Sequence, residues 1–348
     1  MTTTNTKGEL LSRTVEHVDI AAYDARPVIE AMRKMSFSSR DTARAAEILN
    51  LALADDTCSV WLTLAGSTSA GGCMHVWRDM LKYGMADAVV ATGAAIIVMD
   101  FFEALGFHHY QADAAVDDRD LRALYIDRIY DTYIDEEELQ ACDHAIKEVA
   151  DSLQPRPYSS REFIHELGRW LASGKARKPG SLIETAFHEG APIFCPAFTD
   201  SSAGFGLVKH QVERIKAGQP YLSIDAVADF RELTDVKIAA GTTGLFMVGG
   251  GVPKNFAQDT VVCAEILGLE ADMHKYAVQI TVADVRDGAC SSSTLQEAAS
   301  WGKVQTTHEQ MVFAEATTVA PLIVSDAYHR GAWKNRSKRR WAKLFDRD

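Results

Sequence analysis

The sequence predicts an α/β fold: a doubly wound, mostly parallel sheet with helices on both faces. Three observations carry this. Short apolar runs such as Cys58–Ala65 (CSVWLTLA), Ala86–Thr92 (ADAVVAT) and Thr243–Val248 (TGLFMV) read as buried strands. Helical segments separate these runs throughout the chain, which is the pattern of a parallel sheet covered on both sides. Turns rich in glycine and small residues follow three of them, at Gly66–Gly72, Thr92–Ala95 and Gly249–Gly251.

Taken in order, residues 1–10 are dominated by Thr, Asn and Gly and are expected to be disordered. Residues 11–348 are expected to form a single domain, because no linker divides them and no period of 20–50 residues repeats. Ser38-Ser39-Arg40-Asp41 is a helix start, and 41–54 follows as an Ala- and Leu-rich helix. After the first strand a helix is expected over 71–84, and after the second from about 96 to 106. Residues 108–134 read as an irregular charged excursion. Helices are expected at 135–152, 160–174 and 181–189, then a strand at Pro192–Ala197. A strand at Tyr221–Ile224 and a helix at Asp225–Asp235 follow. Pro253 suits the first turn of a helix ending near Gly268. Tyr276–Val282 and Met311–Ala314 read as the last strands, and Pro321–His329 as the start of a terminal helix. The basic stretch Arg330–Arg340 reads as a solvated helix end or a subunit contact rather than a nucleic-acid patch.

Composition narrows the function classes. The net charge of −12 disfavours a general nucleic-acid surface and suits a cationic substrate. No apolar run reaches 18 residues and Met1–Glu9 is polar, so neither a membrane span nor a signal peptide is expected, and the reading is cytoplasmic. Six cysteines include no CxxC pair, so neither a zinc site nor a disulfide framework is expected; Cys58, Cys195 and Cys263 read as buried thiols. Adjacent His108 and His109 point apart on either element, and no metal is expected there.

Three constellations could carry chemistry. The small-residue turns let backbone N–H groups approach a phosphate at a helix start, which suggests a nucleotide at the sheet crevice. No GxGxxG fingerprint is present, and tight βα turns without a ligand would look the same. Thr199-Asp200-Ser201-Ser202 places a carboxylate at a strand end, either for ribose hydroxyls or simply as a helix cap. In Glu297–Lys303 (EAASWGK) a lysine lies beside a tryptophan. A lysine used for imine chemistry needs its amine below the usual ~10.4, and partial burial beside a ring would supply that. Trp301 could hold a cation over its face and Glu297 could bind an ammonium.

With these residues in view, the chain resembles the deoxyhypusine synthase family, which includes homospermidine synthases, from about His17 onward. The resemblance rests on Thr199-Asp200, GGGVPKN (Gly249–Asn255), VRDG (Val285–Gly288) and EAASWGK (Glu297–Lys303). It implies a homotetramer with active sites at dimer interfaces and NAD in each. It implies that NAD oxidises a polyamine to an imine, that Lys303 captures the four-carbon group as a Schiff base, and that an acceptor amine receives it before NADH reduces the product. By resemblance Ser67, Thr92, Gly93, Asp200, Gly249, Gly250, Gly251, Ala283, Asp287, Glu315 and Ala316 contact NAD, and Glu297 and Trp301 line the amine tunnel.

The departures are specific. The eukaryotic enzymes carry aspartate where this chain has Phe205, histidine where it has Asn255, aspartate where it has Cys290, and a glutamate pair within Ile96-Ile97-Val98. Phe205, Asn255 and Cys290 are the family's spermidine-contacting positions. A buried ammonium stripped of its partner costs several kcal/mol. The expected acceptor is therefore a small amine, putrescine or agmatine, the latter able to stack its guanidinium on Phe205 or Trp301. The alternatives are a true deoxyhypusine synthase modifying a translation-factor lysine with spermidine, a non-catalytic NAD-binding partner subunit, or an ordinary nicotinamide dehydrogenase.

Overall fold

The computed structural model describes residues 6–112 and 116–346. The strands among them are β1 (Ser59–Leu64), β2 (Ala88–Ala91), β3 (Tyr110–Gln111), β4 (Ile126–Ile129), β5 (Thr132–Asp135), β6 (Pro157–Tyr158), β7 (Ile193–Phe194), β8 (Ser223–Ile224), β9 (Thr243–Val248), β10 (His274–Thr281) and β11 (Val304–Phe313). Six of them form one sheet in the order β11-β10-β9-β1-β2-β7, and every pairing in it is parallel. The chain winds outward from β1 twice, first through β2 to β7 and then through β9 and β10 to β11. Its direction of travel reverses between β1 and β9, and that reversal opens a crevice at the carboxyl ends of the strands. The fold is the α/β, doubly wound class that the sequence predicts.

Strand periodicity divides the interior into two cores. Val60, Leu62 and Leu64 of β1, Val89 and Ala91 of β2, Phe246 and Val248 of β9, and Tyr276, Val278 and Ile280 of β10 share one core with helices Phe37–Ala54, Met74–Lys82 and Ala316–Arg330. The intervening residues Trp61, Ala88, Val90, Leu245, Met247 and Ala277 face the other side. There they meet Leu233 and Val236 of helix Ala226–Ala240, Ala257 of Gly251–Gln258, and Leu295 and Ala298 of Leu295–Ser300. Alternation persists although both faces are apolar, because successive Cβ atoms still leave the pleat on opposite sides.

Several expectations need correction. Positions 1–5 of the stretch expected to be disordered lie outside the described residues. Lys7–Leu10 is a one-turn helix with a reciprocal Thr6/Glu9 cap, tied down by Lys7 to Asp135 and Glu137 at 2.8 Å each. The 108–134 excursion contains helix Asp118–Ala123 and an antiparallel sheet β3-β5-β4. Its hairpin turn carries no glycine signal, because Tyr130 takes the left-handed conformation instead (φ 51°). The strand expected at Tyr221–Ile224 shortens to β8 and pairs with β6 outside the main sheet.

Helix Ser202–Lys216 bears out the cap reading of Thr199–Ser202, although Gly204 and Gly206 weaken its first turns. Both glycines answer to packing: a Cβ would lie 2.0 Å from the Thr199 carbonyl at Gly204 and 2.6 Å from the Asp143 carbonyl at Gly206. The last long helix starts at Ala316 rather than Pro321, capped by Glu315 onto the Thr317 and Thr318 amides. Lys334, Lys338 and Arg340 of the basic tail are exposed, as a solvated end would be, but the tail is also fixed to the body of the chain. Arg336 is buried against Asp87 at 2.7 Å and the Cys58 carbonyl at 3.0 Å, so the tail straps the amino edge of the sheet. No helix among the described residues is long and apolar enough to cross a membrane.

Candidate functional site

A cavity of about 690 Å³ occupies the crevice between β1 and β9. Its wall comes from the segments following four strands: Ala65–Gly71 after β1, Gly249 and Gly250 after β9, Val282 and Ala283 after β10, and Ala314–Thr317 after β11. The β4–β5 hairpin adds Tyr130 and Asp131. Gln279 on β10 ties two of these segments together, donating to the carbonyls of Gly249 and Ser291 at 3.0 Å each. Gly250 lets the Ser291 backbone come against it, since a Cβ there would lie 2.4 Å from the Ser291 Cα. Burial works against ionising Glu315, but hydrogen bonds from Thr317 and Thr318 outweigh it and hold the carboxyl below its ordinary range. A crevice of this size, walled by backbone, with Glu315 and Asp131 for hydroxyl groups, fits a dinucleotide.

The residues that resemblance assigns to the nucleotide divide into groups. Ser67, Gly249, Gly250, Ala283, Glu315 and Ala316 line this cavity. Gly251 opens the adjoining helix in the left-handed conformation (φ 61°). Thr92, Gly93 and Asp200 are not on the wall. They sit at the ends of β2 and β7, where Ser201 crowds Gly93 so closely that a Cβ would lie 2.5 Å from its Oγ. Ser201, rather than Asp200, caps helix Ser202–Lys216 by accepting from the Ala203 amide at 3.3 Å. Asp287 is exposed and closes its own turn, accepting from the Ala289 amide at 2.7 Å and from the Ser292 hydroxyl.

A second cavity, about 660 Å³, opens on the other face of the sheet among helices Gly251–Gln258, Thr260–Ile266 and Leu295–Ser300. Lys303, Glu297, Trp301, Asn255 and Cys290 all line it, and Phe230, Asp259 and Cys263 join them. The Lys303 side chain is 11% exposed. Its Nζ lies 2.5 Å from Asp259 Oδ1, 3.3 Å from Asn255 Oδ1 and 5.2 Å from the centre of the Trp301 ring. Trp301 itself is 70% exposed, so its ring forms the mouth rather than the floor. Glu297 forms a reciprocal cap with Thr294, and those hydrogen bonds, the amide first, hold its carboxyl below the ordinary range. Phe205 does not reach this cavity. It is exposed on helix Ser202–Lys216, in line with exposed Val208, Val212 and Ile215.

The turn 288–293 separates the two cavities. Ser291 faces the first; Cys290 and Ser293 face the second. Lys254 holds this turn from beneath: its buried amine donates to the Cys290 carbonyl at 3.2 Å and to the Ser293 carbonyl and hydroxyl at 2.5 and 2.9 Å. Burial pushes that amine down to about 8.

Asp259, Gln279 and Lys254 are the residues that reading the sequence missed. Gln279 had a visible signal, a lone amide in an apolar strand. Lys254, adjoining Asn255, and Asp259, one turn beyond Asn255, had only that proximity, which acquires meaning once Lys303 is seen to contact Asn255 and Asp259. Cys58 and Cys195 are buried as expected, whereas Cys263 is partly exposed at the second cavity. His109 bonds Glu103 at 2.8 Å, and no cluster able to hold a metal occurs among the described residues.

The model of the deoxyhypusine synthase family matches residues 27–327. A deoxyhypusine synthase-like protein of Caulobacter vibrioides is 79% identical over 341 residues, covering 98% of this chain and 93% of the relative. One from Coxiella burnetii is 68% identical over 339 residues, covering 97% and 96%. A solved structure from Entamoeba histolytica, described as a candidate deoxyhypusine synthase, superposes with a TM-score of 0.59 at 20% identity, covering 90% of this chain and 97% of that one. That last likeness concerns the fold.

Proposed function

The chain belongs to the deoxyhypusine synthase family, and on that premise we propose that it is an NAD-dependent transferase carrying an aminobutyl or guanidinobutyl group on Lys303. The donor is a polyamine-type amine and the acceptor a small amine, putrescine or agmatine. The observation that supports this best is the placement of Lys303: a nearly enclosed primary amine at a cavity that also presents two carboxylates and a tryptophan face. NAD, bound in the crevice between β1 and β9, would supply hydride acceptance and return. Ser67, Gly249, Gly250, Ala283, Glu315 and Ala316 would hold it, with Gly251, Thr92, Gly93, Asp200 and Asp287 at its margins.

The chain's own groups have definable tasks. The Lys303 amine forms and releases the imine. The Trp301 ring receives the cationic end of the substrate at the mouth, and Glu297, one helical turn before it, pairs with that cation. Enclosure keeps water from hydrolysing the imine. A small acceptor is favoured because Asn255 and Cys290 bring no carboxylate to this cavity, and the segment Ile96-Ile97-Val98, where the eukaryotic enzymes carry a glutamate pair, is packed in the apolar core.

We propose a homotetramer on related grounds. The two cavities share no wall residue within one chain. Phe205, Val208, Val212 and Ile215 recur at 3-4-3 spacing along one exposed helix face, which is the apolar seam that helix pairs bury. Subunit contact would bring Phe205 of one chain toward a site in the next.

The test is cyanoborohydride trapping with NAD and spermidine, putrescine or agmatine in turn, followed by peptide mass analysis. An adduct on Lys303 is expected, its mass separating aminobutyl from guanidinobutyl, and Lys303→Ala should abolish it. No adduct with any of the three amines would refute the carrier role.

A further inference from the structure

We infer that Asp259 is the proton acceptor and counter-ion of Lys303, held in place for that work by Asn255. The inference rests on the carrier role proposed for Lys303 and adds a residue that the resemblance does not assign.

The geometry points to it in three ways. Asp259 Oδ1 is 2.5 Å from Lys303 Nζ, the shortest contact that this amine makes. Asp259 Oδ2 accepts from Asn255 Nδ2 at 2.7 Å, while Asn255 Oδ1 accepts from Lys303 Nζ at 3.3 Å. The three side chains therefore close a triangle in which the asparagine orients both of its charged neighbours. Asp259 also lies at the joint between helices Gly251–Gln258 and Thr260–Ile266, with its amide on the Asn255 carbonyl at 2.8 Å, so its backbone is set by the same turn that carries Asn255.

A charged lysine cannot attack an imine carbon, because its lone pair is occupied by a proton. Asp259 is the carboxylate in contact with that proton. In the transfer step Asp259 takes the proton from Nζ, and the freed lone pair adds to the carbon of the donor imine. Addition leaves two hydrogens on the now cationic Nζ; one of them passes to the donor nitrogen, Asp259 returns its own proton to the same nitrogen, and the carbon–nitrogen bond then breaks so that the neutral amine departs with both. The new imine nitrogen on Lys303 is itself cationic, and the ionised Asp259 remains beside it as its partner. Charge is the same before and after, so the largely enclosed site never holds an unpaired cation.

The test separates this role from both a structural one and the carrier reading. Wild type, Asp259→Asn and Asp259→Glu are treated with butanal and cyanoborohydride without NAD, and butylation of Lys303 is followed by peptide mass against exposed Lys216 in the same digest. Asp259→Asn is isosteric, and unchanged NAD binding by titration would certify that it is folded. Lys303 labelling relative to Lys216 is expected to fall about 10²-fold in Asp259→Asn and to recover at least partly in Asp259→Glu. Labelling of Lys303 at an equal or faster rate in Asp259→Asn would overturn the inference and leave the carrier reading standing. No labelling of Lys303 in the wild-type protein would overturn both.

Discussion

Gly250→Ala tests how the turn 288–293 is seated. The added Cβ would lie 2.4 Å from the Ser291 Cα and 3.0 Å from its Cβ and carbonyl oxygen. Ordinary contact begins at 3.4 Å, so Ser291 would have to retreat by 3.4 − 2.4 = 1.0 Å. It cannot do so alone. Its carbonyl accepts from Gln279 at 3.0 Å and Thr281 at 3.3 Å, and the flanking Cys290 and Ser293 carbonyls are held by Lys254. Overpacking costs about 1–3 kcal/mol, and each loosened hydrogen bond about 0.5–1.5 kcal/mol. With the two bonds on the Ser291 carbonyl counted, these come to about 2–6 kcal/mol of stability. Because Gly250 and Ser291 both wall the crevice between β1 and β9, the NAD affinity proposed for that crevice should fall about tenfold or more. Urea unfolding and calorimetric titration read the two effects. Gly8→Ala, where a Cβ meets nothing within 4 Å, is the control and should be neutral. A Gly250→Ala protein with unchanged urea midpoint and unchanged NAD affinity would refute the argument that glycine is there for the close approach.

Two further outcomes follow from buried charges. Arg336→Met should lower stability by about 3–5 kcal/mol in urea unfolding, because it strands the buried Asp87 carboxylate, while NAD affinity stays constant; a loss under 1 kcal/mol would mean the tail strap is incidental. Burial pushes the Asp229 carboxyl up to about 7 from an unfolded value of 3.8. A raised carboxyl contributes stability that is full below 3.8 and is lost as pH rises through about 7. The wild-type advantage over Asp229→Asn should therefore shrink by up to about 4 kcal/mol between pH 4 and 7.5, and a pH-independent difference would show that Asp229 titrates normally.

Much of the fold was legible because the signals were local. β9 falls on the predicted residues 243–248, and β1 and β2 lie inside the runs read for them. The less legible places were those where local preference and packing disagree. Helix Ser202–Lys216 starts through two glycines that its own propensity opposes, and the Tyr130-Asp131 hairpin puts a tyrosine rather than a glycine in the left-handed position. For the site, five residues named around Lys303 included four that line its cavity with it, namely Glu297, Trp301, Asn255 and Cys290; Phe205 lies elsewhere on the same chain.

The sequence by itself determined the strand–helix alternation, the two-faced burial of the sheet, and the small-residue turns and the lysine block, because each is written in neighbouring residues. Only the tertiary structure decided which turns meet at the reversal between β1 and β9, that the crevice there and the lysine cavity lie on opposite sides of one turn, and that Asp259 touches Lys303 across 44 positions of chain (303 − 259). Those facts depend on the order in which strands pair and on which helix packs over which face. Contacts of that kind arise from burying the whole chain at once, so no local pattern records them.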